Sequence, residues 1–189
     1  MADDDGADDG EGDHPDRTVE VVPSSPAWPE RFRVEREALS GALDGVAASI
    51  EHVGSTAVPG LAAKPTIDIL IVVESIEAFL ERLHAVEDLG YRYRPFSPVG
   101  SETHHFLRRV EDGRRTHHLH VLAAGSPEVD RFRGFRDALR RNADLAAEYE
   151  RLKLDLATRH ADDRDRYVAE KSAWVDGALT RLGLGSDRR

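Results

Sequence analysis

Asp68 occupies a position in this sequence where a charged side chain needs a chemical explanation. It lies within PTIDILIVV, residues 65–73, an almost wholly apolar segment in which a buried carboxylate is costly unless it is paired, hydrogen-bonded or bound to a metal ion. Thirteen residues before it stands Ser55, between Gly54 and Thr56. A glycine allows close backbone approach, and backbone amides beside a serine hydroxyl can bind phosphate oxygens where a helix begins. The spacing therefore favours a turn that brings this Gly-Ser-Thr segment and Asp68 to one cleft, although the same turn could be purely structural.

The segment around Asp68 predicts a strand in the interior of a sheet, because it is apolar on both faces. Side chains alternate across a strand, so Asp68 shares a face with Thr66 and Leu70 and not with the neighbouring isoleucines. Lys64 is the nearest candidate partner for the carboxylate along the chain. Two interpretations stay open: an acid that caps a turn or pairs with Lys64, and an acid that points into a functional cleft.

The remaining pattern predicts an α+β domain with a mixed sheet, helices packed on it and a helical C-terminal layer. Alternating apolar residues predict strands, and apolar residues at helical spacing predict helices. The strands are expected over 18–22, 46–54, 65–73, 91–95, 103–112 and 114–125, and the helices from Pro29 onward and over 75–90, 127–142, 143–160 and 163–182. The Glu-Asp-Gly segment at 111–113 is expected to close a hairpin between the last two strands.

Composition restricts the class of protein. Hydrophobic residues make up 40% and charged residues 33% of the 189 residues, which is typical of a folded domain. One domain is expected over 18–184, with a disordered acidic tail at 1–17 and a short tail at 185–189. No apolar run reaches the roughly 20 residues of a membrane span, and the start lacks the features of a signal peptide, so we expect a cytoplasmic protein with no membrane partner. The net charge of −10 argues against general nucleic-acid binding.

Several motifs together resemble the GrpB family of the nucleotidyltransferase superfamily. The resemblance covers residues 19–175 and rests on EHVGSTAVPGLAAKPTIDI, HHLHV, FRDALR, YERLK and YVAEKSAWV, in that order. It implies a nucleotidyltransferase-like fold, and some family members occur fused to dephospho-coenzyme A kinases. The superfamily pattern is Gly-Ser, a spacer of about ten residues, then Asp-x-Asp or Asp-x-Glu, with a third carboxylate on a later strand; these acids hold Mg²⁺ ions that organise a nucleoside triphosphate.

This chain departs from that pattern at its acidic positions. Asp68 is present, but Leu70 or Thr66 replaces the second acid, and the later strand carries His118 and His120 on the expected face. One carboxylate and two imidazoles suit Zn²⁺, Mn²⁺ or Fe²⁺ better than Mg²⁺. The same three residues could also act without metal, a histidine as general base and the carboxylate orienting it. Asp68, His118 and His120 are therefore the candidate catalytic and metal-binding residues, with Mg²⁺, Mn²⁺ or Zn²⁺ as the candidate cofactor.

Basic side chains supply the candidate phosphate contacts. Arg136 and Arg140 lie on one side of a predicted helix within the FRDALR motif, and guanidinium groups suit phosphate recognition. Lys64 and Lys171 complete the predicted phosphate-binding set with the Gly-Ser-Thr turn. Lys153, in YERLK, is the third of only three lysines in the chain and could serve as a further point charge. The alternative for the arginines is a solvated helix face.

Two hypotheses for function follow from these observations. The first is a nucleotidyltransferase-like enzyme that acts on a nucleotide or another phosphorylated small molecule, with metal assistance. The second is a ligand-binding or accessory module that retains the fold without the metal-binding acids, linked to coenzyme A metabolism. Fold alone does not decide between them, because function belongs to the site.

Overall fold

A mixed sheet of five strands forms the centre of the structure, a computed structural model that describes residues 19–94 and 104–184. The strands are β1 (Ala47–Val53), β2 (Ile67–Val73), β3 (Tyr91–Tyr93), β4 (His104–Glu111) and β5 (Arg114–Ala123). Their order in the sheet is β1-β2-β5-β4-β3, in which β2 and β5 are parallel and the other neighbours are antiparallel. The α+β fold with a mixed sheet is thereby confirmed. The predicted tails at 1–17 and 185–189 lie outside the described residues.

Helices cover both faces of this sheet. They are α1 (Ala27–Ala42), α2 (Ile76–Glu81), α3 (Leu83–Glu87), α4 (Pro127–Arg141), α5 (Ala143–Arg159) and α6 (Arg164–Arg181), and a 3₁₀ turn lies at Ser55–Ala57. Ser126, Asn142 and Asp163 cap the last three helices by accepting a hydrogen bond from a backbone amide of the first turn. Across the described ranges, none of these helices is long and apolar enough to cross a bilayer.

The alternation of side chains along β2 divides the core into two layers, as predicted. Ile67, Ile69 and Ile71 face α1 to α3 and belong to the main hydrophobic cluster, with buried side chains from those helices. On the opposite face Leu70 packs with residues of β1, β5 and α4 in a smaller cluster. Asp68 points to this second face, at the end of β2 where the strand enters the sheet, so its side chain is half-buried instead of sealed in the main core.

Three predicted elements differ in the structure. The predicted strand at 18–22 is reduced, in its described part, to a single antiparallel bridge between Val22 and Ala63. The helix expected from Pro29 begins two residues earlier, at Ala27, so Pro29 lies in its first turn. Proline is tolerated there because the backbone N–H groups of the first turn have no partner within the helix, and proline lacks only this group. The helix predicted over 75–90 is interrupted at Arg82, whose backbone leaves helical geometry while the apolar spacing continues past it. Hydrophobic periodicity therefore locates this segment but does not show the break.

Candidate functional site

Asp68 forms a hydrogen-bonded pair with His118 on the neighbouring strand. The two residues are in register between β2 and β5, and Nδ1 of His118 lies 3.1 Å from Oδ1 of Asp68. The Asp68 side chain is 25% exposed and the His118 side chain 11% exposed, so the carboxylate is the more accessible member of the pair. His118, which lies 50 residues after Asp68 in the sequence, is thus a hydrogen-bond partner of its carboxylate.

The electrostatic environment of Asp68 favours its charged form. Burial acts to raise the pKa of this carboxyl group, but the hydrogen bond from His118 and the electrostatic effects of His118, His120 and Lys171 outweigh it and hold the pKa below its usual value. Asp68 is therefore an ionised, hydrogen-bonded carboxylate at neutral pH.

Gly54 makes room for this carboxylate at the start of the 3₁₀ turn. Its backbone has φ +70° and ψ −170°, a combination that is essentially restricted to glycine. A Cβ atom at this position would overlap Oδ2 of Asp68. The Gly-Ser turn and Asp68 therefore lie in direct contact, as their spacing predicts. The backbone conformation and this close contact both require glycine at position 54.

The two hydroxyl residues of the turn have different environments. Thr56 is buried, and its hydroxyl donates to the carbonyl oxygen of Thr66 at 3.1 Å and lies 3.0 Å from Nε2 of His52. Ser55 lies at the boundary between two cavities and lines both. Ser55 therefore faces both cavities, whereas the hydroxyl of Thr56 is engaged in hydrogen bonds that join β1 to the segment before β2.

The first cavity, which we call the apolar cavity, has a volume of about 150 Å³. It lies between the sheet and the three C-terminal helices, and aromatic and aliphatic side chains form much of its wall: Phe132, Phe135, Tyr149, Val175 and Leu179. Ser55, Asp68, His120 and Lys171 are among its polar lining residues. An apolar cavity with a few convergent polar groups is the usual form of a small-molecule site.

The second cavity, which we call the lysine cavity, has a volume of about 100 Å³ and adjoins the first. Its charged lining residues are Lys64, Lys153, Arg164 and Lys171, with Asp68 as the carboxylate among them. Ser55, Thr56 and His118 also line it. The two cavities share Ser55, Asp68, Tyr149 and Lys171, so these residues form the boundary between them.

The predicted metal trio does not converge on one point. His120 pairs in register with Leu70, two positions along β5 from His118, and its Nδ1 lies 3.2 Å from Nε2 of His104. Within residues 19–94 and 104–184, no three His, Asp or Glu side chains are arranged to hold a metal ion. Asp68, His118 and His120 share a sheet face but do not fit a preformed three-ligand metal site.

Arg136 and Arg140, predicted to bind phosphate, lie outside the walls of both cavities. Arg136 pairs with Glu51 at 3.1 Å and with Asp137 at 2.8 Å, and it also donates to the carbonyl oxygen of His52 at 3.2 Å. Arg140 donates to the carbonyl oxygen of Ala57 at 2.7 Å. These guanidinium groups join α4 to β1 and to the 3₁₀ turn, and this geometry gives no support to their predicted phosphate-binding role.

Sequence reasoning missed several residues of the site. Tyr149, the first residue of the YERLK motif, lines both cavities, and Arg164 lines the lysine cavity, although neither was among the predicted site residues. His104, which was not among the predicted site residues, shares the face of Asp68 and contacts His120. The signal available in the sequence was the scarcity of lysine, because Lys64, Lys153 and Lys171 all line one cavity.

Comparison with known proteins places the chain in a protein family. Residues 18–181 match the profile of the family described as GrpB protein. The chain belongs to the GrpB family. The crystal structure of the conserved protein GrpB from Enterococcus faecalis has the same fold, with a TM-score of 0.77 and 37% sequence identity over 86% of this chain and 99% of that one. The resemblance stated from the sequence motifs is confirmed.

Two curated relatives are longer than this GrpB-family chain. UPF0157 protein YqkA of Bacillus subtilis is 36% identical over 167 residues, which cover 87% of this chain and 47% of that protein. A dephospho-CoA kinase of Mycolicibacterium paratuberculosis is 30% identical and is matched over 86% of this chain and 46% of the kinase. The chain therefore spans about half the length of these two relatives.

The GrpB fold is also similar to that of a nucleotidyltransferase. A crystal structure of the Cid1 poly(U) polymerase bound to MgATP matches 74% of this chain and 45% of that one, with a TM-score of 0.52 and 11% sequence identity. At this identity the similarity concerns the fold alone. The nucleotidyltransferase-like sheet predicted from the sequence is confirmed.

Proposed function

We propose that this GrpB-family protein binds a phosphorylated small molecule, with nucleotides as the expected class, across its two adjoining cavities. The observation that carries the proposal is that Ser55, Asp68, Tyr149 and Lys171 line both cavities. A single ligand can therefore place an apolar or aromatic group in one cavity and an anionic group in the other. The ammonium group of Lys171 and the hydroxyl of Ser55 supply the charge and hydrogen bonding that a phosphate group requires at the boundary.

We further propose nucleotidyltransferase-like transfer as the reaction class. In this step the oxygen of an acceptor hydroxyl bonds to the α-phosphorus of a nucleoside triphosphate, the bond to the pyrophosphate leaving group breaks, and Asp68 accepts the proton of the hydroxyl. Asp68 is the exposed member of its pair with His118, and the hydrogen bond from the imidazole fixes the orientation of the carboxylate. The roles expected from the sequence, a histidine base oriented by a carboxylate, are thus exchanged in this proposal. No step is assigned to a metal ion, because no three His, Asp or Glu side chains in the described ranges are arranged to hold one.

A second candidate is a ligand-binding module without chemistry of its own. It is favoured by the residues two positions from Asp68, because either Leu70 or Thr66 stands where the superfamily pattern has its second acid. It is also favoured by the relative named dephospho-CoA kinase, about half of which this chain matches. In this case the cavities would bind a coenzyme A precursor or a nucleotide without converting it.

Thermal unfolding with a panel of ligands tests the binding proposal. ATP, GTP, CTP, UTP and dephospho-coenzyme A are added to the wild-type protein, and at least one is expected to raise the melting temperature, since a ligand that binds the native state stabilises it. Lys171→Gln is expected to lose this shift. Arg166→Gln is the matched control on the same helix, because the Arg166 side chain is 73% exposed and lies outside both cavities. A wild-type protein that no ligand stabilises would overturn the proposal.

Product analysis then separates the two candidates. The ligand that binds is incubated with wild-type protein and with Asp68→Asn, and the mixture is resolved by anion-exchange chromatography. Release of pyrophosphate or consumption of the nucleotide by wild type, with loss in a variant that still binds, would support the enzyme. A ligand that binds wild type and is recovered unchanged would favour the module.

A further inference from the structure

Glu51 and His52 stand at the end of β1, just before the Gly-Ser turn, and the proposed function assigns them no role. Their side chains point to opposite faces of the sheet, because side chains alternate along a strand. Glu51 lies on the face of Asp68 and pairs with Arg136 of α4 at 3.1 Å. His52 lies on the face of the main core and is only 9% exposed. The residues that lead into the turn are thus bound to α4 on one face and enclosed by the core on the other.

His52 begins a chain of hydrogen bonds beneath the turn. Its Nε2 lies 3.0 Å from Oγ1 of Thr56, and the Thr56 hydroxyl donates to the carbonyl oxygen of Thr66 at 3.1 Å. The Thr66 hydroxyl donates in turn to the carbonyl oxygen of Arg115 on β5 at 3.1 Å. Both threonines are buried. The chain therefore links β1, the Gly-Ser turn, the residue before β2 and β5 through groups that are shielded from water.

The donors and acceptors of this chain determine where the His52 ring carries its proton. A carbonyl oxygen only accepts, so the single hydroxyl proton of Thr56 is used on Thr66. Oγ1 of Thr56 then accepts from His52, which places the ring proton on Nε2. Burial lowers the pKa of His52 to about 4, so the ring is neutral at neutral pH. His52 is thus a neutral hydrogen-bond donor directed at the turn.

Packing holds the His52 ring in this orientation. The ring is stacked on that of Phe32 from α1, with 4.8 Å between the ring centroids and 13° between the ring planes. The stacking fixes the plane of the imidazole, and the hydrogen bond to Thr56 fixes the direction of Nε2 within that plane. The donor is therefore held by two independent contacts.

Helix α4 holds the backbone at both ends of the turn from the opposite side. Arg136 donates to the carbonyl oxygen of His52 at 3.2 Å. Arg140 donates to the carbonyl oxygen of Ala57 from Nε at 3.0 Å and from Nη2 at 2.7 Å. The Gly-Ser turn lies between these two anchored carbonyl groups, and His52 supplies the hydrogen bond from the core side.

We propose that His52 is a positioning residue of the ligand site, which holds Ser55 beside Asp68 and the two cavities through its hydrogen bond to Thr56. The inference rests on the proposed function, because it assigns a residue that acts on the ligand through the turn. Ser55 lines both cavities and is the chain neighbour of Thr56, while Gly54 packs against the Asp68 carboxylate. A binding group keeps its geometry only if its supporting residues are fixed by packing and hydrogen bonds.

Two substitutions at position 52 separate this role from packing. In His52→Gln the side-chain amide nitrogen reaches the position of Nε2 and can still donate to Thr56. In His52→Asn the amide nitrogen reaches only the position of Nδ1, so this hydrogen bond is lost. Both variants lose the ring that stacks on Phe32, so the loss of packing is common to them. A difference between the two variants therefore measures the hydrogen bond to Thr56.

NMR of the histidine rings checks the donor. The His52 signals are identified by their absence from the spectrum of His52→Gln, and long-range ¹H–¹⁵N correlation shows which ring nitrogen carries the proton. At neutral pH the proton is expected on Nε2 and in slow exchange with water, because it is buried and hydrogen-bonded. A proton on Nδ1 would overturn the inference.

Hydrogen exchange reads the turn without any ligand. The amides of Ala57 and Val58 donate to the carbonyl oxygens of Gly54 and Ser55, so their exchange rates report local opening of the turn. These two rates are expected to be about fivefold higher in His52→Asn than in His52→Gln, the factor that corresponds to one hydrogen bond. Amides of β4 and β5 provide the reference for global unfolding. Equal rates at the turn in the two variants, or a rise that the reference amides share, would overturn the inference.

Calorimetric titration with ATP, GTP, CTP and UTP then tests whether the turn matters to the site. A nucleotide that binds wild type is expected to bind His52→Asn about fivefold more weakly than His52→Gln, at a temperature where both variants are folded. Equal affinities, in spite of faster exchange at the turn, would show a purely structural residue and overturn the positioning role. Failure of every nucleotide to bind wild type would overturn the proposed function, and the exchange rates alone would then support or overturn the assignment of His52 to the turn.

Discussion

The backbone of Gly54 explains how a carboxylate can stand at the mouth of an apolar strand. Its φ and ψ values belong to a region that other residues avoid, and the space of a Cβ atom is filled by the Asp68 side chain. The glycine therefore places the turn against the acid, and the hydrogen bond from His118 fixes the acid from the other side. The position of Asp68 follows from these two neighbours more than from the strand that carries it.

A substitution at this glycine is expected to damage stability and site together. Gly54→Ala adds a strained backbone and displaces the Asp68 carboxylate, so we expect it to lower the free energy of unfolding by about 3 kcal/mol. Gly60→Ala is the control, because Gly60 also has a positive φ of +79° but has open space around it. It is expected to cost about 1 kcal/mol. Urea denaturation measures both, and equal costs would contradict the role assigned to Asp68.

At the scale of secondary-structure elements, a buried polar cluster joins α1 to the sheet on the face away from the cavities. Glu35 of α1 is 5% exposed and accepts hydrogen bonds from the hydroxyl of Tyr91 at 2.9 Å and from Arg109 at 3.0 Å. His117 lies 3.9 Å from the same carboxylate. Burial raises the pKa of Tyr91, which keeps its hydroxyl protonated as a donor. One helical side chain is thus hydrogen-bonded to β3 and β4 and lies close to His117 of β5.

Removing the acid of this cluster leaves buried donors without their acceptor. We expect Glu35→Ala to lower the free energy of unfolding by about 3 kcal/mol, the lower end of the range for breaking a buried ion pair, because Arg109 also contacts Glu111. Glu37→Ala on the same helix removes an exposed partner of Arg33 and is expected to leave stability unchanged within error. Denaturant titration of the two variants decides the matter. A loss at position 37 as large as that at 35 would argue against the cluster.

Local sequence patterns predict the strands of this protein better than they predict the contacts between distant segments of the chain. The segment around Asp68 is a central strand with the predicted division of its faces, and the hairpin between β4 and β5 turns at Asp112 and Gly113, both with positive φ. Periodicity could not show that Arg136 binds Glu51, since that contact joins residues 85 positions apart. The contact between Lys153 and Ala62 spans 91 positions and depends on the docking of α5 beside the turn. No local sequence pattern therefore indicates which residues form the wall of the cavity.

For the whole molecule, local charge matters more to ligand binding than net charge. The chain has a formal charge of −10, yet the lysine cavity places four cations around one carboxylate. A cavity wall of one sign concentrates ions of the opposite sign even when the surrounding surface repels them. The net charge that argues against general nucleic-acid binding is therefore compatible with tight binding of a small anion at one point.

This charge distribution predicts that the protein binds pyrophosphate without a divalent ion. Superfamily sites use two or more acids to hold Mg²⁺ against the phosphates, whereas here lysine side chains supply the neutralising charge beside a single acid. Affinity measured by calorimetry is expected to persist in EDTA and to fall with added salt. Asp68→Asn is expected to strengthen binding in EDTA several-fold, because it removes the negative charge of a carboxylate that lines the cavity. Binding that requires Mg²⁺ and is lost in Asp68→Asn would instead mean that the carboxylate and the phosphates hold a metal ion together.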